Sequence, residues 1–89
     1  MDEDRLPVAG LRNLGPKSAL LLAQADVRTI AELRLLGAVK AYRRAKVLAP
    51  RSVSLNLLWA ITAGLEDRDW RQLTAEEKAS LLAEIRRFG

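Results

Sequence analysis

Apolar positions along this chain recur at helical rather than strand spacing. Ala19, Leu22 and Ala23 form one stripe and Ile30 and Leu33 a second. Val39, Tyr42 and Ala45 form a third, Leu55, Leu58 and Trp59 a fourth, and Leu81, Leu82 and Ile85 a fifth. The residues between the stripes punctuate five helices. Gly15-Pro16 starts the first, because a proline at the first helical position lacks only an N–H that has no intrahelical partner. This helix runs to about Ala25, with Asp26 as its left-handed terminator. Thr29-Ile30-Ala31-Glu32 is a capping box, in which Thr and Glu satisfy each other's orphan backbone donors. It opens a short second helix that stops at Gly37, and a third over about 39–48 is ended by Pro50. Ser54 is the expected N-cap of a fourth helix to about Ala63, with Gly64 as its stop and Val53 placed to staple onto Leu58. Residues 66–73 read as a charged loop anchored by Trp70, and Thr74-Ala75-Glu76-Glu77 is a second capping box for a last helix to about Arg87.

This order of elements predicts an all-α fold: a compact bundle of about five short helices with orthogonal packing. At 89 residues there is room for one domain with a thin core. Leu and Ala supply most of that core, and Trp59 and Trp70 are both assigned to it because a thin core needs large side chains. Residues 1–10, with an acidic start followed by Pro7 and Gly10, read as a flexible lead-in to a helical domain over 11–89. The longest apolar run, Ala19-Leu20-Leu21-Leu22-Ala23, is far too short for a membrane span. The opening Met1-Asp2-Glu3-Asp4 lacks the basic-then-apolar order of a signal peptide. With no cysteine to suggest an oxidising compartment, a cytoplasmic location is expected, with no membrane partner.

The same composition argues against an enzyme. There is no His and no Cys, which removes the commonest general base, the commonest soft metal ligands and the thiol nucleophile. Ser18, Ser52, Ser54 and Ser80 have no imidazole to activate them. Glu66, Asp67 and Asp69 are clustered but lack the Gly and distal Glu of a calcium loop, and no Gly-rich nucleotide loop is present. No metal site, cofactor or small-molecule substrate is expected.

Charge is uneven. Residues 16–52 carry eight basic and two acidic groups, whereas the flanking segments are each close to neutral. Such a block calls for a polyanion or an acidic protein surface. At its N-terminal edge, Leu11-Arg12-Asn13-Leu14-Gly15-Pro16-Lys17-Ser18-Ala19 reads as a turn into a helix start. Asn13 is suited to a positive φ and Gly15 to a tight turn, which leaves helix-start N–H groups beside Lys17 and Ser18 as an anion site. Lys40, Arg43 and Arg44 share one face of the third helix at i, i+3, i+4, and Arg51 extends it. These eight positions, Asn13, Gly15, Lys17, Ser18, Lys40, Arg43, Arg44 and Arg51, are the candidate nucleic-acid-binding residues. The aromatic-poor composition argues against a base-stacking single-strand binder.

The 11–19 stretch resembles the hairpin of helix-hairpin-helix DNA-binding domains, in which hairpin amides and adjacent basic side chains hold a phosphate without reading sequence. Gly15, Pro16, Lys17, Ser18 and Ala19 match that pattern, while Asn13 stands where its first Gly is usual. The helix that precedes such a hairpin would fall in residues 1–10, where Pro7 and Gly10 leave no room for it. A broader match resembles the C-terminal domain of the TfoX/Sxy family, regulators associated with natural competence. It rests on Leu14-Gly15-Pro16-Lys17-Ser18, Leu36-Gly37-Ala38-Val39, Ala41-Tyr42-Arg43-Arg44, Val53-Ser54-Leu55-Asn56-Leu57-Leu58, and Trp70 with Leu73 and Glu76-Glu77-Lys78. On this resemblance the chain is expected to be a C-terminal module without the family's usual N-terminal domain. There is also an internal echo: the run from Leu11 through Gly15 to Ala19 returns 22 residues later from Leu33 through Gly37 to Ala41.

Two functional readings follow. The first is a regulatory module that binds DNA weakly and without sequence preference through phosphate contacts, linked to transcription or competence. The second is a protein-interaction module whose basic face docks an acidic surface of the transcription machinery or of a separate N-terminal TfoX-like protein, or which self-associates.

Overall fold

A computed structural model of the chain describes residues 6–88. Five α-helices carry the fold: α1 (Pro16–Gln24), α2 (Ile30–Leu36), α3 (Ala38–Leu48), α4 (Leu55–Leu65) and α5 (Ala75–Phe88). Among the described residues there are also two short 3-10 turns, Val8–Gly10 and Trp70–Gln72, and no strand.

The expected caps are largely those observed. Asp26 has φ 65°, and the Asp26 and Val27 amides donate back to the Ala23 and Leu22 carbonyls, which closes α1 in a Schellman motif. The Thr29 hydroxyl accepts from the Glu32 amide while the Glu32 carboxylate accepts from the Thr29 and Arg28 amides. Those backbone donors hold the Glu32 carboxyl below its ordinary pKa. Thr74 and Glu77 repeat the reciprocal pair at the start of α5. Ser54 occupies the N-cap position of α4, but its side chain makes no capping bond.

Three expectations are corrected. Gly64 does not end α4; it is buried inside the helix, and the stop is a second Schellman motif one turn later, with Asp67 at φ 55° and Arg68 N–H donating to the Ala63 carbonyl. A Cβ on Gly64 would run into the backbone carbonyl of Arg12 and the side chain of Leu11, so glycine is there for close approach. Trp70 is not in the core: it is 40% exposed, and the apolar anchor of its loop is the buried Leu73. Residues 6–10 are not a loose lead-in. Val8 is buried, its amide donates to the Arg28 carbonyl at 3.0 Å, and Ile30 N–H donates to Leu6. Pro7 forms an isolated bridge with Thr29. The rest of the expected lead-in, residues 1–5, lies outside the described residues.

α4 is the centre. Leu57, Leu58, Trp59, Ala60, Ile61 and Ala63 are all buried, as expected of a helix covered on most sides. α3 lies against α1, α2, α4 and α5, burying Val39, Ala41, Tyr42 and Ala45. α2 and α3 are separated by Gly37 alone, whose φ of 90° turns the chain sharply. The internal echo is therefore not a repeated geometry, because Gly15 has an extended φ of −102° and Asn13 takes a positive φ where Leu35 is helical. α5 covers the core with half-buried Leu81, Leu82 and Ile85, and Lys78 Nζ sits 5.5 Å from the Trp59 ring centre.

The close approach at Gly64 has a measurable consequence. Gly64→Ala is expected to lower unfolding free energy by roughly 1–3 kcal/mol through overpacking, although alanine is the better helix former. Chemical denaturation of the two proteins checks this; equal or greater stability in the variant would contradict the contact.

Candidate nucleic-acid interface

The turn that precedes α1 is bound to the loop that follows α4. Leu14 N–H donates to Leu11 O at 3.1 Å, and Asn13 takes φ 75°, the value a type II turn demands of its third residue. The Asn13 amide then makes two long-range bonds: Nδ2 donates to Arg68 O at 2.7 Å, and Oδ1 accepts from Trp70 N–H at 3.3 Å. Arg12 Nη1 adds a bond to the Asp67 carbonyl. Asn13 is thus committed to holding the 66–70 loop, and its side chain is not a free ligand for an anion.

Gly15 has ordinary extended backbone and nothing within 4 Å of where a Cβ would stand. The tight turn expected there is made by Asn13 instead. What Gly15 does is leave the start of α1 uncovered: no side chain caps this end, and the first-turn residues Lys17 and Ser18 face a cleft of about 350 Å³. The first turn of α4, also without a side-chain cap, lines the same cleft through Ser54 and Asn56, with Ser52 beside them. Leu21, Leu57 and Ala60 form the apolar lining, and Asn13 and Trp70 border it. The Arg71 guanidinium lies 5.8 Å from the Trp70 ring centre. Two uncapped helix starts and one lysine make this cleft electropositive.

The structure brings Lys40, Arg43 and Arg44 together, but elsewhere. They line a hollow with Leu36 and Val47 on the outer face of α3, and none of them borders the Lys17 cleft. Arg51 is exposed and precedes Ser52 in the cleft wall, without lining the cleft itself. Lys17, Lys40, Arg43, Arg44 and Arg51 have no ion-pair partner among the described residues. Ser52, Asn56 and the exposed Trp70 lie outside the candidate set that the sequence supplies. Ser52 and Asn56 flank the α4 start in sequence, but only the tertiary arrangement, with α1 and α4 on either side of one cleft, brings them opposite Lys17.

The sequence model of the TfoX C-terminal domain matches residues 4–85, almost the whole chain. The chain belongs to that family. A crystal structure of an uncharacterized protein from Listeria monocytogenes, in a triclinic form, has the same fold: TM-score 0.81 at 22% identity, over 92% of each chain. No curated protein matches the sequence. In this TfoX C-terminal domain no described helix is long and apolar enough to cross a membrane.

The loop that Asn13 holds is also an ionic junction. Arg68 Nη1 donates to Glu66 at 2.8 Å and to Glu77 Oε2 at 2.7 Å, and Nη2 donates to Glu77 Oε1 at 3.0 Å. The Arg68 guanidinium, followed by the Thr74 amide, lowers the Glu77 carboxyl from 4.5 to about 2, and Glu77 in turn raises Arg68. A depressed carboxyl stabilises the fold fully above its unfolded value and loses that contribution as pH falls towards its folded value. Thermal stability of the domain is expected to drop between about pH 5 and pH 2. Glu77→Gln should flatten that drop and lower stability at neutral pH; a pH profile identical to wild type would contradict the pairing.

Asn13 gives a second expectation. Asn13→Ala removes two hydrogen bonds and places a Cβ residue without local compensation at positive φ, with an expected loss of about 2–3 kcal/mol. Asn13→Gly keeps the turn and loses only the tether, so it should be less destabilising by about 1 kcal/mol. Thermal or chemical denaturation ranks the two, and equal losses would show that the positive φ carries no strain.

Proposed function

We propose that this TfoX C-terminal domain is a non-enzymatic regulatory module that acts in the cytoplasm and binds nucleic-acid phosphates without reading sequence, in the service of transcription or competence control. The carrying observation is that the uncapped first turns of α1 and α4 open with Lys17 onto one cleft. Helix-start amides and a flexible ammonium complement a phosphate oxygen in charge and in hydrogen-bonding capacity. Nothing in the cleft resembles a base-reading element, and its polar rim of Ser18, Ser52, Ser54 and Asn56 suits backbone contacts. Membership in a family of regulators supports the role, and the absence of His and Cys supports binding rather than turnover.

Phosphate binding has a thermodynamic signature. Affinity for duplex DNA should fall linearly in log K against log salt, with similar values on unrelated sequences. Lys17→Ala should reduce the magnitude of that slope by about 0.9, and Lys17→Glu should weaken binding on every sequence. Arg86→Ala, in the last helix, should change little. Fluorescence anisotropy on duplex DNA, single-stranded DNA and RNA, with helicity checked by circular dichroism, measures all of these. Absence of binding to any of the three at low salt would refute the reading.

A further inference from the structure

The outer face of α3 is a different kind of surface from the Lys17 cleft. Lys40, Arg43, Arg44 and Val47 occupy positions i, i+3, i+4 and i+7, one complete stripe of the helix. Around it the molecule exposes apolar side chains that a phosphate backbone has little use for: Leu35 is 90% exposed, Val47 80% and Leu48 58%. Three hollows meet here and all of them include Arg44. One adjoins Leu36 and Val47, one runs past Leu35 to Asp26, and one passes between Gln24 and Leu48. Together they border the outer face of α3 as a groove from Lys40 to Leu48, a rise of about 12 Å, a little over two helical turns.

Cations outnumber carboxylates along the groove: Lys40, Arg43 and Arg44 line it against Asp26 and Glu32. None of its three cations has an ion-pair partner among the described residues. The two carboxylates on its edge are already engaged: Asp26 with Arg28 at 3.3 Å, and Glu32 in the α2 capping box. Exposed apolar groups flanked by unpaired arginines complement a helix with an apolar stripe edged by carboxylates. Arginine is the suited cation, since its planar fork pairs a carboxylate through two parallel hydrogen bonds. A second copy of this chain is a poor occupant, because a symmetric contact would set the same cations against one another.

We infer that the α3 groove docks an acidic amphipathic helix of a partner protein, a function separate from phosphate binding at the Lys17 cleft and independent of it. The test uses the full chain, labelled with nitrogen-15, and three designed helical peptides of about 15 residues, roughly four turns. One has a leucine stripe edged by glutamates; its twins carry lysine for glutamate or serine for leucine. The acidic peptide is expected to shift the amide resonances of Leu35, Arg43, Arg44 and Val47, while the two twins shift none. Arg43→Ala combined with Arg44→Ala should weaken peptide binding roughly tenfold, and Val47→Asp by at least as much. Lys17→Glu should leave it unchanged, so loss of DNA binding and loss of peptide binding are separate results. Dispersed spectra from every variant establish that each is folded.

The proposal is overturned if the acidic peptide causes no shifts at about 1 mM, an affinity too weak for a specific partner. It is also overturned if the double arginine variant binds the peptide normally but lowers the magnitude of the DNA salt slope by about 1.8, which would give the face to nucleic acid. Concentration-dependent dimerisation abolished by Val47→Asp would give it to self-association and overturn the proposal equally.

Discussion

The placement of α1 depends on a join between residues 11–13 and the end of α4. Gly64 has no Cβ, so the Arg12 carbonyl and the Leu11 side chain can lie directly against the helix. Asn13 then bonds the backbone of Arg68 and Trp70 from both ends of its amide. Because these contacts fix where the turn sits along α4, they also fix which residues of α1 face which residues of α4. Lys17 and Ser18 come opposite Ser54 and Asn56 as a result, and the cleft follows from that register.

Local features of the sequence were legible because their physics is local. A capping box is made within four residues, and both appeared as read, at Thr29 and Thr74. Asp26 is legible as a left-handed residue because the helix ends directly before Val27 and needs a terminator there. Gly64 shows the limit. A glycine near the end of an apolar run reads as a stop, and only the chain 52 residues earlier explains why it is a contact point. The actual stop at Asp67 was hidden because an aspartate in a charged loop looks like any other polar residue. Trp70 failed for a related reason: burial of large side chains is a tendency, and Leu73 in the same loop took the apolar site.

The candidate site divides along the same line. That Lys40, Arg43 and Arg44 share a face is helical arithmetic, and the structure bears it out. That this face stands apart from Lys17 is tertiary information, set by how α1 lies against α3 and faces α4 across the cleft. The same separation reveals Val47 and Leu35 beside the arginines, whereas the apolar pattern gives no sign of which Leu or Val remains outside. Asn13 was correctly read as a positive-φ residue, but its side chain serves the fold rather than a ligand.

Where the surplus positive charge stands unpaired follows from where the carboxylates are held. Glu32, Asp69 and Glu77 satisfy backbone donors at helix starts, and Glu66 and Glu77 share Arg68. Asp26 pairs with Arg28 and Asp67 with Arg12. Each of these acids has a partner other than Lys17, Lys40, Arg43 or Arg44, so few remain to pair with those cations. A domain with a thin core needs its caps, because each secures helix ends that tertiary packing alone holds weakly. Committing acids to caps therefore leaves Lys17, Lys40, Arg43 and Arg44 as a standing positive potential. That potential destabilises the compact state slightly by self-repulsion. Binding of an anionic partner relieves the repulsion, so the same distribution of charge that caps the helices also favours association.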